Sequence, residues 1–525
     1  MTASSEASPS AQSVGALIER LVAYALQRGL LQPADEDYAR NALLDLFGLT
    51  EAEENIEIGE LPDGPAPLLE PLLDAAAAQG LLPDNTTTYR DLLDARIMGL
   101  LMPRPAETNR LFRSIAEAQG VRAATDWFYR LNIDAHYIQM DRIRKNDYWR
   151  HPTEYGELEI TINLSKPEKD PKEIALLKTL PPAKYPKCLL CKENVGYAGR
   201  PDHPARQNLR VLPVALQGEE WLFQYSPYVY YNEHSVVLRR EHAPMRITPD
   251  TFARLLDFVE QFPHYFIGSN ADLPIVGGSI LSHDHFQAGR HVFPMEKAPV
   301  AAWFGLAREP GIRAGIVKWP MSVLRLRAGD RAALLRAAAH ILGCWREYSD
   351  PDAGILAHTG DTPHNTITPI ARLKDNGEYE LDLVLRNNRT SEAHPDGIFH
   401  PHRELHHIKK ENIGLIEVMG LAVLPGRLQR ELAEIAAMLS GRAPYDADAL
   451  AVPEHPLSGH APWIAELVQA WGTAMPEEAA RERLRAAVGD KFCEVLRHAG
   501  VFKEDAAGRE AFARFLRSAG FAAQD

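Results

Sequence analysis

The sequence predicts an α+β protein in which a duplicated antiparallel sheet-and-helix core lies between helical N-terminal and C-terminal regions. Two observations support this prediction. Residues 151–305 and 306–427 each show strand–helix–strand patterns in a similar order, and two successive units of comparable length indicate a duplicated domain. Residues 1–150 and 428–525 show mainly the apolar spacing of helices. These four ranges are the predicted domains.

The N-terminal region has the pattern of a series of amphipathic helices. Apolar residues from Leu17 to Leu26 recur at helical spacing, and Gly29 follows where a helix is expected to end. A similar stripe runs from Leu428 to Leu439 at the start of the C-terminal region. We expect the N-terminal helices to form an accessory region without chemistry of its own, and the C-terminal helices to pack on the core. Further N-terminal helices are predicted at 38–47, 68–78, 88–102 and 107–120.

The core shows patterns that are typical of strands. Apolar and polar residues alternate from Leu158 to Leu164, which predicts a half-buried strand. Thr248 and Pro249 suit the N-cap and the first turn of a helix. In the first unit, further strands are predicted at 209–216, 220–225 and 235–239. In the second unit, strands are predicted at 316–327, 355–359, 366–373 and 379–386, with a helix at 331–345.

Composition and charge restrict the possible partners. The chain of 525 residues has 57 Lys and Arg against 71 Asp and Glu, a formal net charge of −14. Its hydrophobic content of 45% is ordinary for a globular protein. The acidity argues against general binding of nucleic acid or of an anionic membrane, because the long-range field has the wrong sign. An anionic substrate would therefore need local basic groups.

The sequence also predicts a cytoplasmic location. Apolar runs as long as a membrane span are absent from it, and the first residues lack the pattern of a signal peptide. Four cysteines are too few for a disulfide framework in a chain of 525 residues, which favours a reducing compartment.

The segment from Gly277 to Gln287, Gly-Gly-Ser-Ile-Leu-Ser-His-Asp-His-Phe-Gln, carries the most chemical information. On a strand, His283, His285 and Gln287 would point to one face because they lie two residues apart. The preceding glycines would let the backbone approach a ligand closely and leave amides available to an anion. The spacing alone also fits the exposed polar face of an edge strand.

The His-x-His-x-Gln pattern behind a Gly-Gly-Ser loop resembles that of the histidine-triad-like superfamily, and in particular the type 2 family of galactose-1-phosphate uridylyltransferases. Segments 153–171, 277–289 and 406–420 carry this resemblance. It extends from the helical segment 97–105 to about residue 430. The resemblance implies a duplicated histidine-triad-like core.

The resemblance also implies a reaction and roles for the residues of the motif. A histidine would attack the α-phosphorus of UDP-glucose, release glucose 1-phosphate and pass the uridylyl group to galactose 1-phosphate. By motif, His285 is the nucleophile and Gln287 the hydrogen-bond donor to the phosphoryl oxygen, while Gly277, Gly278 and Ser279 hold the phosphates. A neutral imidazole suits this role, and its other ring nitrogen should donate to a backbone carbonyl.

A structural zinc ion is the cofactor that the resemblance implies, and an organic cofactor is not expected. The ligands by motif are Cys188, Cys191, His242 and His283. Two thiolates and two imidazoles form a suitable tetrahedral set that leaves no open position for catalysis. A Cys-x-x-C pair is weak evidence by itself, and the alternative is two buried thiols beside an ordinary loop histidine.

Other expected substrate contacts are basic or amide side chains. Lys166 and Lys169 lie where better-known relatives carry arginines near the nucleotide phosphates, although solvated surface charge is the alternative. Asn208 and Asn270 match family asparagines near the uridine and phosphates. Nucleic acid and membrane partners are not expected, and a homodimer is an expectation of the resemblance only.

The second half departs from the better-known branch of the family. Leu385-Arg-Asn-Asn388 stands where that branch has a second His-x-His strand, which argues against an iron-type site there. The loop at 400–407 holds four histidines, for which we favour substrate contact or structure over metal binding. Two other functions stay open: a histidine-triad-type nucleotide hydrolase or phosphorylase, and a non-catalytic zinc-stabilised binding protein.

Overall fold

A computed structural model describes residues 13–164 and 184–524 of the chain. Lys166 and Lys169, which the sequence suggested as substrate contacts, lie outside the described residues. The described residues form two compact units. The first unit comprises residues 13–144, 184–214 and 222–229, and the second comprises residues 145–164, 215–221 and 230–524.

The first unit contains the predicted N-terminal helices. The apolar stripe of the first helix is buried, and the Ser13 side chain caps that helix by accepting a hydrogen bond from the backbone N–H of Ala16. Gly29 and Gly48 follow the first two helices with φ of 68°, the left-handed conformation in which glycine commonly ends a helix. The helices are α1 (Val14–Gln27), α2 (Glu36–Phe47), α3 (Ala66–Ala78), α4 (Thr87–Leu100), α5 (Pro105–Gln119), α6 (Val121–Asp134) and α7 (Met140–Ile143).

A mostly buried ionic cluster joins α4 to α7 and to the turn before α7. The Nδ1 of His136 is 2.8 Å from Oδ2 of Asp94, and its Nε2 is 3.1 Å from Oδ1 of Asp141. Because both ring nitrogens face carboxylate oxygens, both donate and the imidazole is positively charged. Burial alone would lower the pKa of His136, but the two carboxylates outweigh burial and raise this pKa to about 10.

The second unit begins with a hairpin, and the chain continues into two sets of strands, with residues 212–214 and 222–225 of the first set belonging to the first unit. The hairpin consists of β1 (Asp147–Thr153) and β2 (Gly156–Asn163), and β2 contains most of the alternating segment predicted at 158–164. The first set comprises β3 (Leu212–Leu216), β4 (Glu219–Tyr225), β5 (Ser235–Arg239), α8 (Pro249–Gln261), β6 (Phe266–Gly268), β7 (His285–Gly289) and the short helix α9 (Pro294–Lys297). The second set comprises β8 (Val300–Leu306), β9 (Glu309–Val317), β10 (Val323–Ala328), α10 (Arg331–Glu347), β11 (His358–Thr359), β12 (Thr362–Pro363), β13 (Asn365–Leu373) and β14 (Tyr379–Asn387).

The C-terminal part of the second unit is mainly helical, as predicted. Within the described ranges, every helix of the chain is too short or too polar to cross a bilayer. The elements are α11 (Leu415–Val418), β15 (Leu421–Pro425), α12 (Arg427–Leu439), α13 (Ala447–Leu450), α14 (Ala461–Trp471), α15 (Glu477–Ala499), α16 (Ala506–Ser518) and β16 (Phe521–Gln524).

The two sets of strands have the same topology. In the first set the strands lie side by side in the order β3, β4, β5, β7, β6, and in the second set in the order β8, β9, β10, β14, β13. A helix, α8 or α10, lies between the third and fourth of these strands along the chain. Antiparallel pairing of β6 with β13 joins both sets, with β16 added next to β8, into a sheet of eleven described strands. This repetition confirms the predicted duplicated α+β core.

Different layers cover the two faces of this sheet. Helices α8 and α10 pack against each other and against β13 on one face. On the other face, β2 pairs with β1 and, in parallel, with β15, and these strands share one apolar core with α12 and α15. Buried members of that core include Ile160, Ile370, Val384, Leu421 and Phe492.

Several strands differ from their predicted positions. The segment predicted as a strand at 355–359 forms only the two-residue β11, which pairs with β12 outside the large sheet. The strand β8 begins at Val300, before the predicted boundary between residues 305 and 306, and the three domain boundaries remain predictions. The sequence did not predict β16, because a four-residue strand with one buried side chain has no periodicity to detect.

The charged His136 predicts a decrease in stability at alkaline pH. Its pKa is about 10 in the folded protein and about 6.5 in an unfolded chain, so the folded protein binds the extra proton between these pH values. The free energy of unfolding should therefore fall as the pH rises through this interval, by at most about 1.4 kcal/mol per pH unit.

Urea unfolding at a series of pH values measures this slope. In His136→Gln, which cannot carry the charge, the fall should be largely absent, whereas the control His340→Gln, whose ring bonds a backbone carbonyl oxygen, should keep it. Equal slopes in the wild type and His136→Gln would show that His136 is not charged in the folded protein.

Candidate functional site

The strand β7 begins at His285, whereas the sequence predicted a strand that also contains His283. The preceding residue, Asp284, donates its backbone N–H to the carbonyl of Ala243 and accepts from the backbone N–H of Arg239. These hydrogen bonds hold residues 283–284 against the loop that follows β5. The prediction of three polar side chains on one strand is therefore wrong for His283, and correct for His285 and Gln287.

His285 and Gln287 lie on the same face of the large sheet. Gln287 is opposite Val236 on β5 and opposite Gly268 on β6. A Cβ at Gly268 would contact the Leu415 side chain at 2.8 Å, so this face is covered by the segment around residue 415. The motif 406–420, recognised in the sequence, therefore lies over the face that carries the two polar residues.

The hydrogen bond expected of the candidate nucleophile is present. The Nδ1 of His285 donates to the backbone carbonyl oxygen of His283 at 2.8 Å, which leaves the lone pair on Nε2. His285 is 7% exposed, and burial lowers the pKa of its imidazole to about 4. The ring is therefore neutral and fixed in one tautomer.

Gln287 has a partner that the sequence did not reveal. The Nε2 of His234 lies 3.2 Å from Oε1 of Gln287. His234 directly precedes β5 and is buried. A single histidine before a strand has no spacing signal, and only the pairing of β5 with β7 brings it to Gln287.

The glycine pair of the motif is required by packing. A Cβ at Gly277 would lie 2.6 Å from the carbonyl oxygens of Ala271 and Leu273, and one at Gly278 would lie 2.6 Å from Nδ2 of Asn270. Neither glycine has a positive φ, so close approach rather than backbone conformation explains them. The glycines thus admit the Asn270 side chain, and Ser279 follows them in an exposed position.

Asn270 connects the glycine loop with the later motif. Its Oδ1 accepts a hydrogen bond from the backbone N–H of Leu415 at 2.8 Å. Asn412 donates from Nδ2 to the carbonyl oxygen of Gly277 at 3.3 Å. The structure therefore brings together Asn270, the glycine pair and the 412–415 segment, which are far apart in the chain.

Asn208 belongs to the first unit and already has a partner there. It is 3% exposed, and its Nδ2 donates to the backbone carbonyl oxygen of Ala135 at 3.0 Å. Its neighbour Arg210 donates to the backbone of Pro103 and Gln207. These bonds give Asn208 a structural role within the first unit.

Cys188 and Cys191 form a compact knuckle. Their Sγ atoms are 3.5 Å apart, and the side-chain amide of Asn194 donates to both of their carbonyl oxygens. Burial and the neighbouring Cys188 raise the pKa of the Cys191 thiol to about 11, a shift that a bound cation would reverse.

His242 and His283 form a second pair of possible ligands. Their rings are 4.9 Å apart, and Nε2 of His283 donates to the carbonyl oxygen of Arg239 at 2.7 Å, which leaves Nδ1 unprotonated. Cys188 and Cys191 supply two thiols of the first unit, and His242 and His283 supply two imidazoles of the second. The four residues form a Cys/His cluster that could bind a metal ion, and the donor set fits zinc.

The histidine-rich loop is held by its own hydrogen bonds. The Nε2 of His406 donates to the carbonyl oxygen of Pro401 at 2.8 Å, and Nε2 of His402 lies 3.2 Å from the carbonyl oxygen of Ile398. The rings of His402 and His498 pack 4.1 Å apart, and these two residues with Glu404 could also hold a metal ion. The backbone bonds support the structural interpretation of this loop.

Two family models match most of the chain. The model of the galactose-1-phosphate uridyl transferase N-terminal domain matches residues 29–244, and the model of the C-terminal domain matches residues 258–449. The chain belongs to the galactose-1-phosphate uridylyltransferase family. These proteins are nucleotidyltransferases, and the chain is an enzyme of this class.

Curated relatives match the chain over almost its whole length. A galactose-1-phosphate uridylyltransferase of Caldanaerobacter subterraneus subsp. tengcongensis is 57% identical over 96% of this chain and 98% of its own. Those of Halalkalibacterium halodurans and Bacillus subtilis are 56% and 52% identical, over 97% and 96% of this chain and 99% and 97% of their own. The solved structure of yeast Ap4A phosphorylase Apa2 aligns at a TM-score of 0.27 and 12% identity over 55% of this chain and 82% of its own, which supports no conclusion.

The packing of the glycine loop predicts a cost for any side chain at residue 278. In Gly278→Ala the new Cβ would displace the Asn270 amide, and we expect the free energy of unfolding to fall by about 1 to 3 kcal/mol. Gly459→Ala, where a Cβ would meet nothing within 4 Å, should change it by less than about 0.5 kcal/mol. Urea unfolding compares the two variants, and equal stabilities would contradict the packing argument.

Proposed function

We propose that the chain moves the uridylyl group of UDP-glucose to galactose 1-phosphate through a covalent intermediate on His285. The observation that supports this most directly is the pairing of two groups on one sheet face. His285 presents an unprotonated Nε2, and Gln287 lies two residues further on the same strand. A nucleophile beside a neutral hydrogen-bond donor is the arrangement that phosphoryl transfer requires.

The first half-reaction forms one bond and breaks one. The lone pair on Nε2 of His285 attacks the α-phosphorus of UDP-glucose, and the bond from that phosphorus to the bridging oxygen breaks. Glucose 1-phosphate leaves with the electron pair. The modified imidazole carries a positive charge, and its Nδ1–H keeps the hydrogen bond to the His283 carbonyl oxygen, which stabilises that charge.

The second half-reaction reverses these changes with another acceptor. A phosphate oxygen of galactose 1-phosphate attacks the α-phosphorus, the phosphorus–nitrogen bond breaks, and its electron pair returns to Nε2 of His285. UDP-galactose is the product. Because the same face serves both steps, the donor of Gln287 acts on the same phosphoryl oxygens each time.

Further residues are proposed as substrate contacts. The loop before β7 offers backbone amides and small polar groups, which suit phosphate oxygens. Its proposed contacts are Gly277, Gly278, Ser279 and the neighbouring Asn270. Lys166 and Lys169 are proposed to supply local cationic charge for the phosphates, because the net charge of −14 does not attract an anion. Asn208 stays in the proposal only by family motif, since its amide is occupied by Ala135.

We also propose that Cys188, Cys191, His242 and His283 hold a structural zinc ion. Bound there, zinc would serve as a structural Lewis acid that fixes its ligands and leaves no open coordination position. The Nε2 hydrogen bond to the Arg239 carbonyl oxygen holds the His283 ring, whose Nδ1 would bind the ion, and the carbonyl of the same residue accepts the hydrogen bond of His285. Among the described residues, no cysteine is in a disulfide, which suits the proposed cytoplasmic location.

The covalent intermediate is directly measurable by intact mass spectrometry. After mixing with UDP-glucose, the wild type should gain about 306 Da, the mass of a uridylyl group, as covalent catalysis requires. Addition of galactose 1-phosphate should remove the adduct. His285→Ala should stay unmodified while keeping the wild-type melting temperature, and the control His340→Ala should be modified.

The same experiment separates the alternative functions. Turnover of UDP-glucose in water without any hexose 1-phosphate would favour a nucleotide hydrolase. Absence of both adduct and exchange in the wild type would contradict the proposed transfer and favour a binding protein.

Metal analysis tests the zinc proposal. The purified wild type should hold about one zinc ion per chain, and Cys188→Ser should lose most of it because three ligands bind far more weakly than four. Cys344→Ser, a cysteine on α10 outside the cluster, should retain the metal, as should His285→Ala. Equal zinc contents in Cys188→Ser and Cys344→Ser would contradict the assignment.

A further inference from the structure

The buried side chain of His234 lies next to the proposed site and takes no part in the two half-reactions. The His234 ring is 4% exposed, and its Nε2 lies 3.2 Å from Oε1 of Gln287. Its Nδ1 is buried without a hydrogen-bond partner in the described structure. The ring therefore makes one polar contact, and that contact is with Gln287.

The sheet register explains how His234 reaches Gln287. On the paired strands, Ser235 is opposite Ala288 and Val236 is opposite Gln287. Side chains alternate along a strand, so His234 and Val236 point to the same side, and His234 is the diagonal neighbour of Gln287. This face is the one that carries His285.

Aromatic packing fixes the orientation of the His234 ring. The ring lies between Tyr230, stacked at 5.3 Å, and Tyr231, at 4.5 Å between ring centroids. Tyr231 is itself held by a hydrogen bond from its hydroxyl to the carbonyl oxygen of Ala288. The donor nitrogen of His234 consequently has little freedom to leave Gln287.

The protonation of His234 decides which way the amide of Gln287 faces. Burial lowers the pKa of His234 to about 3, so the ring is neutral, with one N–H and one lone pair. With the proton on Nε2, His234 donates to Oε1 of Gln287, and the amide N–H groups face away from His234. If the Gln287 amide were turned by 180°, one of its N–H groups would donate to His234. Its carbonyl oxygen would then face the phosphoryl oxygens of the substrate and be repelled by them.

We propose that His234 is a positioning residue that holds the Gln287 amide with its N–H groups directed at the phosphoryl oxygens of the substrate. This inference rests on the proposed function, because it assigns His234 a role only through Gln287. It adds the residue before β5 to the site residues that the sequence predicted, which did not include His234. Its effect is on the transition state, where negative charge on those oxygens increases.

Three substitutions of His234 separate positioning from packing. His234→Phe keeps a ring between the tyrosines but removes the donor, and His234→Asn keeps polarity but is too short to reach Gln287. His234→Gln places an amide N–H near the position of Nε2. His340→Phe, on α10, loses the hydrogen bond to the Ala519 carbonyl oxygen and the contact with the Cys344 thiol, and is the control for general destabilisation.

Steady-state kinetics and intact mass with UDP-glucose are the measurements. His234→Phe and His234→Asn should lower kcat and the rate of adduct formation by about 10- to 100-fold, as loss of an oriented donor does, with KM for UDP-glucose changed less than about threefold. His234→Gln should recover part of the loss. His340→Phe should keep the wild-type rate.

A double-mutant cycle with Gln287→Ala gives the decisive comparison. If His234 acts through Gln287, the double variant should be no slower than Gln287→Ala alone. A full additional loss in the double variant, or a wild-type kcat in a folded His234→Phe or His234→Asn, would overturn the inference while leaving the transfer reaction intact. A wild type that forms no adduct would instead remove the proposed function itself, and this inference with it.

Discussion

The pairing of β6 with β13 is the constraint on which the rest of the second unit depends. Only two residue pairs, Gly268 with Ile370 and Ile267 with Ala371, join the two sets of strands into one sheet. Gly268 has no room for a side chain, because a Cβ there would lie within 3 Å of the Pro369 carbonyl and of Leu415. Gln287 is opposite Gly268 on the next strand, and Asn270 follows β6 after one residue. The candidate site is thus built directly beside this junction.

The two sets of strands share the same strand order, but they do not carry the same polar residues. The first set of strands carries the polar pair on β7, whereas the corresponding part of the second set has Arg386 and Asn387 on β14. Both are buried: Arg386 donates to the carbonyl oxygen of Ile413, and Asn387 donates to the side chain of Asn365. The Arg386 bond holds the segment that reaches Asn270 and Gly277. The second repeat therefore supports the segment that contacts the candidate site of the first repeat.

The sequence predicted the fold and the centre of the site from local patterns, and it failed where long-range pairing decides. Helices such as α1 and α8 and the strand β2 have periodicity and caps that identify them. The strand β6 has only three residues, too few for a periodic pattern. The strand β7 starts at His285 because the backbone N–H of Asp284 donates to the carbonyl oxygen of Ala243. The residues of these two segments alone therefore do not predict where either strand begins. The motif identified His285 and Gln287, but His234 becomes their neighbour only through the register of β5. Phosphate binding by the glycine pair stays a prediction, and close packing, with Asn270 at Gly278, explains why these positions lack side chains.

The strand β16 has a consequence for the way the chain is made. It covers β8, which otherwise would be the outer strand of the sheet with unpaired N–H and C=O groups. Phe521 pairs with Leu306, but the second repeat and the C-terminal helices lie between them in the sequence. A growing chain on the ribosome therefore exposes the edge of β8 until these segments and β16 have been synthesised. During that interval the edge is open to strands of neighbouring nascent chains, so protection against aggregation arrives late in translation.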